Sequence, residues 1–377
     1  MKYRPELDGL RAIAVVSVMF VHSDLIGRGA DLRGAGTSLP HLLSGGVFGV
    51  DLFFVLSGFL ITSLLLQEHA RTGRIDFLAF YMRRALRLLP AMGLLLLGCT
   101  ALVLSGHAGG RFDLTAVALA AAYISNFVVI IAGDRLGILT QTWSLSIEEQ
   151  FYTLWPITLL LLLRLTSRRT IIMAILGGAA VAVLLRLIFF LVWSGQTDDK
   201  TLMIGTYTLP TRADGLLFGA AVAAAYCWGF LPKGRAASLL TIVSAGWVCW
   251  MLVFVNSIPN PNLYYGTYAL VAIATAGLIA GLTTAPPGWV KSAMIWAPLV
   301  WTGKISYGLY LYHVPVFALL AWPLEYPALA FAVACGLTFA VAALSYYAVE
   351  LRFLAMKHRI RVRVDGAIPP TNPTRSA

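Results

Sequence analysis

Apolar residues run in blocks of about 18–22 along nearly the whole chain, each long enough to cross the hydrocarbon core of a bilayer as a helix. The blocks lie near 8–26, 46–66, 88–105, 114–132, 148–164, 171–193, 211–229, 236–255, 266–284, 303–321 and 327–349. Basic residues gather between them: Lys2 and Arg4, then Arg71, Arg74, Arg83, Arg84 and Arg87, then Arg164, Arg168 and Arg169. Lys233 and Arg235 follow, and the tail adds Lys357, Arg359, Arg361 and Arg363. Such basic segments mark the cytoplasmic side. The loop at 23–45 balances Asp24 and Asp31 against Arg28 and Arg33, as an outer loop can. Counting blocks between the basic markers gives two crossings, then three, two and four, and three crossings cannot join two loops on one side. One segment between 88 and 163 is therefore expected to be re-entrant, interfacial or a buried half-helix, which a bilayer tolerates only inside protein or beside a water-filled cavity. The pattern predicts an all-α polytopic membrane protein of about ten transmembrane helices, with both termini cytoplasmic.

Composition agrees. The 377 residues are 59% hydrophobic and only 12% charged, where a soluble domain is about half apolar and about a quarter charged. Residues 1–355 are expected to form one membrane-embedded domain, and 356–377 a short, basic, disordered tail. The first block does not read as a cleavable signal peptide, because Asp8 and Arg11 interrupt it and no small-residue cleavage site follows. Cys99, Cys227, Cys249 and Cys335 all lie in apolar runs and outline neither a disulfide framework nor a metal site. The net charge of +11 follows from basic loops facing anionic lipids and needs no nucleic acid to explain it.

Polar residues inside apolar runs are costly and mark candidate chemistry. Arg11 and His22 fall on one face of the first block, about 16 Å apart along a helix axis, with Asp8 one turn before Arg11 as its counter-ion. A neutral imidazole at His22 can take a proton from a hydroxyl near neutral pH, and an interfacial histidine at the end of a span is the plainer alternative. Arg83, Arg84 and Arg87 form one cluster on a helix, fit either for a phosphorylated cofactor or for lipid headgroups. Glu148 and Glu149 stand at the mouth of a block with Tyr152 one turn away. They can orient an imidazole or pair with a buried arginine, or they can be an exposed pair among interfacial aromatics. Arg212 and Asp214 open another block. Ser306, Tyr310 and His313 share a helix face, and a structural hydrogen-bond network between helices is the commoner outcome for such a stripe. Asp51, Ser57 and Gly58 lie in a glycine-rich run that close helix packing explains. The chain has no P-loop, no GxSxG elbow and no HExxH pair.

As a set, the segments YRPELDGLRAIAVVSVMFVH, GVDLFFVLSGFLIT, FYMRRALRLLP, TWSLSIEEQFY, RADGLLFGA and GKISYGLYLYHVP resemble the acyltransferase-3 family of membrane O-acyltransferases, in the family's order and from residue 3 to about 350. The resemblance implies an enzyme of the bacterial cytoplasmic membrane, without metal. It would move an acyl group, usually acetyl, from cytosolic acyl-CoA to a hydroxyl of a carbohydrate such as a surface polysaccharide or lipid-linked glycan. The family's Arg, ten residues, His motif maps onto Arg11 and His22, its Arg-x-x-Arg onto Arg84 and Arg87, and its glutamate onto Glu148 and Glu149. Some relatives carry a C-terminal SGNH-type domain, and this chain is expected to be a stand-alone member. Acylation of a secondary metabolite is the alternative reading, and a transporter or flippase of acylated intermediates the rival from another class.

Overall fold

The computed structural model describes residues 3–23, 43–107, 112–193, 204–255, 262–320 and 327–356. Most of the loop at 23–45 and the tail from 357 onward lie outside the described residues. Every regular element among the described residues is helical. In chain order the helices are α1 (Pro5–Val21), α2 (Gly49–Thr72), α3 (Phe77–Leu104), α4 (Leu114–Ala121), α5 (Ser125–Ala132), α6 (Thr142–Leu165) and α7 (Arg168–Trp193). They continue with α8 (Leu209–Cys227), α9 (Gly234–Phe254), α10 (Tyr268–Thr284), α11 (Trp289–Met294), α12 (Ala297–Lys304), α13 (Ser306–Leu319) and α14 (Pro327–Ser345).

Six helical stretches among the described residues are long and apolar enough to cross a membrane: Gly46–Thr72, Phe77–Leu104, Arg168–Val192, Gly234–Phe254, Leu263–Thr284 and Ala328–Met356. The expected count of about ten is not reached on length and composition. The other expected spans are shorter or carry charge: α1 has 17 residues and α13 has 14, α6 bears Glu148, Glu149 and Arg164, and α8 bears Arg212 and Asp214. The physical reason is enclosure. A helix wrapped by its neighbours need not present about 18 apolar residues to lipid, and α1 shows this, with Leu10, Ala12, Ala14 and Val15 fully buried.

The block at 114–132 is broken into α4 and α5, of eight residues each. Each is about 12 Å long and neither can cross alone. Tyr123, between them, adopts a left-handed φ of 55°, and the Asp113 carboxylate caps α4 by accepting from Ala116 N at 2.8 Å. Of the expected blocks between 88 and 163, this one is divided, whereas α3 and α6 are continuous.

Helix α2 is the axis of the bundle. Its most apolar window is 78% buried, against 22% for α3 and 28% for α7, whose outer faces are left for lipid. Helix α8 reaches α2 through reciprocal glycines: a Cβ on Gly58 would run into the Leu216 carbonyl oxygen, and one on Gly219 into that of Val55. Contacts between small residues of this kind let two backbones approach without intervening side chains. On the other side, Gly303 of α12 packs on the Asp8 backbone, which sets α12 and α13 alongside α1. Trp155 of α6 donates to Thr62 of α2 at 2.8 Å.

Candidate active site

Between α1, α2, α3, α6 and α13 lies a cavity enclosing about 790 Å³ of empty space, its mouth included. Arg11, Arg84, Arg87, Glu148, Tyr152, Ser306 and Tyr310 all line it, and residues of α2 such as Val50, Leu56, Leu60 and Ile61 make an apolar wall. Five separate stretches of chain thus meet at one space, α2 adding Ser57 among its apolar residues.

The arginines differ in what holds them. Arg11 donates to Asp8 at 3.2 Å, and the second Asp8 oxygen accepts from the Tyr3 hydroxyl at 2.8 Å, so the expected counter-ion is in place and itself anchored. Helix α3 is capped by Asp76, which accepts from Ala79 N at 2.9 Å and sets the register of its first turns. Arg84 and Arg87 then share a face toward the cavity, while Arg83 turns to Glu68 of α2 at 2.9 Å and does not line it. The Arg84 guanidinium lies over the Tyr152 ring, 3.9 Å from its centroid, and its buried Nε has no hydrogen-bond partner. Among the described residues no carboxylate forms a salt bridge with Arg84 or Arg87. Two guanidinium groups on one wall, with no carboxylate at ion-pair distance among the described residues, can bind phosphate or carboxylate oxygens.

Opposite them, Ser57 and Tyr152 each donate to one oxygen of Glu148, both at 3.0 Å. Two hydroxyl donors suit an ionised carboxylate, which only accepts. Glu149 does not line the cavity. The Tyr310 hydroxyl donates to the Gln141 carbonyl at 3.0 Å and shares a further hydrogen bond with Ser144, which ties α13 to the start of α6.

His22 sits just past the end of α1 and does not line the cavity. Its Nδ1 lies 2.8 Å from the Val18 carbonyl oxygen, which can only accept, so Nδ1 carries the proton and Nε2 the lone pair. Its ring packs against that of His313, with centroids 4.9 Å apart.

Arg212 and Asp214 have a different setting. Arg212 pairs with Asp51 of α2 at 2.8 Å, and Asp214 pairs with Arg186 of α7 at 3.0 and 2.8 Å. Both arginines stand over the Tyr268 ring of α10, at 3.9 and 5.3 Å from its centroid. These buried pairs lock α2, α7, α8 and α10 together and do not line the cavity. Sequence reasoning missed Arg186, although the argument that singled out Arg11, a charge inside an apolar block, applies to it equally. It also missed Ser144 as a cavity residue, because a hydroxyl within an apolar block carries little signal.

Comparison with known proteins follows the same lines. A family model described as an acyltransferase domain matches residues 4–347. The peptidoglycan O-acetyltransferase OatA of Listeria monocytogenes is 32% identical over 340 residues, which cover 86% of this chain and 51% of the relative. A Staphylococcus aureus protein named "Putative O-acetyltransferase" is 33% identical over 374 residues, covering 94% of this chain and 58% of the relative. The chain thus spans about half the length of the curated relatives it matches. No solved structure matches it.

Proposed function

We propose, on the premise that this chain belongs to the acyltransferase-3 family, that it transfers an acetyl group from acetyl-CoA to a hydroxyl of a carbohydrate. The observation that carries this reading is the cavity in which Arg84 and Arg87, with no carboxylate at ion-pair distance among the described residues, face the apolar wall of α2 beside Glu148 and Arg11. A phosphorylated donor with a long, mostly uncharged arm suits that combination. The guanidinium forks bind phosphate oxygens, and the arm runs along Val50, Leu56, Leu60 and Ile61. Both relatives carry O-acetyltransferase in their names, and the Listeria protein is named for peptidoglycan, which favours a glycan acceptor.

In this mechanism His22 Nε2 takes the proton of the acceptor hydroxyl as its oxygen attacks the thioester carbonyl. The same nitrogen returns the proton to the sulfur as the C–S bond breaks. Arg11, held by Asp8, orients the donor within the cavity. Glu148, fixed by Ser57 and Tyr152, orients the donor within the cavity. By the rule that basic ends face inward, the donor enters from the cytoplasm of a bacterial cell, and the protein resides in its cytoplasmic membrane.

Reconstituted in proteoliposomes with acetyl-CoA, the wild-type chain should release CoA faster when a glycan oligosaccharide is added. His22→Ala should lower that rate by about 10²-fold or more. Full acetylation by His22→Ala overturns the assignment of the base, and acetyl movement without any CoA release overturns the enzyme in favour of a carrier.

A further inference from the structure

His22 lies outside the cavity, and α13 joins the two. Tyr310 lines the cavity, and one helical turn further His313 packs edge-on against His22, with ring centroids 4.9 Å apart and planes at 70°. The same Tyr310 holds His313, because its carbonyl oxygen accepts from His313 Nδ1 at 2.7 Å. With the Tyr310 hydroxyl bonded to Gln141 and Ser144, this turn is fixed at both ends.

His313 is fully buried, and its second nitrogen, Nε2, has no hydrogen-bond partner. Its other ring neighbour on α13, Phe317, is apolar, with centroids 5.9 Å apart, and Phe331 of α14 closes the far side of Phe317 at 5.7 Å. A buried lone pair without a donor costs the desolvation of that atom, a cost that a phenylalanine in the same volume would not carry. What the ring supplies is a buried, polarisable imidazole packed against His22. Two imidazolium rings at this separation repel, so the pair favours a single proton, and His313, enclosed on every side, is the ring that stays neutral.

We propose that His313 is a positioning residue for acyl transfer: a neutral imidazole that holds the His22 ring beyond the end of the donor cavity and stabilises the charge His22 gains with the acceptor's proton. The inference rests on the reading of His22 as the base. The proton passes from the hydroxyl to His22 Nε2 and then to the departing sulfur, while His313 begins and ends the cycle unchanged.

The test uses the full chain in proteoliposomes with acetyl-CoA and a glycan oligosaccharide, and three variants: H313F, H313L and H313Q. H313F and H313L remove the lone pair and keep an apolar filler, whereas glutamine restores a polar acceptor near the position of Nε2. The expected result is a fall in kcat of about 10- to 100-fold in H313F and H313L, with KM for acetyl-CoA within about threefold and an unfolding temperature equal to or above wild type. H313Q should recover about tenfold of that loss in kcat. Wild-type kcat in folded H313F or H313L overturns the proposal, as does failure of both to fold, which would make the ring a structural group. Full activity in His22→Ala would instead remove the base assignment, so the two failures are distinguishable.

Discussion

Arg186→Met should destabilise the protein by about 3–5 kcal/mol, although Arg186 does not line the cavity. The magnitude follows from burial. An exposed ion pair contributes about 0–1 kcal/mol, because water replaces whichever partner is removed. Here the Arg186 side chain is 0% exposed and that of Asp214 4%, so water has no access to the pair. Arg186 donates to both Asp214 oxygens, at 3.0 and 2.8 Å, and to the Thr211 carbonyl at 2.6 Å. With Arg186 gone, the Asp214 carboxylate is buried without a counter-ion, and its neighbour on α8, Arg212, is already committed to Asp51 at 2.8 Å. At about 2 °C per kcal/mol for a chain of this size, the unfolding midpoint in detergent should drop by about 6–10 °C. The double variant Arg186→Met/Asp214→Leu should recover most of that loss, since an apolar pair of similar volume replaces a buried ion pair at little cost. A single variant within about 2 °C of wild type, or a double variant as unstable as the sum of the singles, would refute the reasoning.

Arg87→Ala should raise KM for acetyl-CoA by about 10- to 100-fold, the equivalent of one lost charge-assisted contact, while Arg83→Ala, whose partner is Glu68, should stay within about twofold; initial-rate kinetics separates them. Glu148→Gln keeps the shape of the side chain but weakens the bonds from Ser57 and Tyr152, and should cut turnover by about tenfold. An unchanged rate in the same assay would mean that the carboxylate charge is not used. Gly58→Val should force α2 and α8 apart and lower the unfolding midpoint by the equivalent of about 1–3 kcal/mol, whereas Gly98→Ala, with open space around its position, should leave it unchanged or slightly higher.

What the chain determines by itself is whatever lies within a few residues along one helix. Apolar block length and the scarcity of charge specify an all-helical membrane protein. The i,i+3 spacing places Asp8 beside Arg11 and aligns Arg84 with Arg87, and the structure has both arrangements. The order of polar segments was enough to show the family resemblance. The break at 114–132 was legible only as a miscount of crossings between 88 and 163, since helix and half-helix share one composition.

The meeting of segments was decided by the tertiary structure. Periodicity records which residues share a face but not which face of another helix comes opposite, and that choice is made by close backbone approaches such as Gly58 on Leu216 and Gly303 on Asp8. Those approaches turn Arg212 toward Asp51, bring Arg186 to Asp214 and leave Arg84 and Arg87 facing a cavity. The same packing separates Arg83 from its two neighbours, because Glu68 lies across the α2–α3 turn and claims it. It also sets His313 against His22, a contact that no local spacing could announce, because α13 is held beside α1 by the packing of Gly303 of α12 on Asp8.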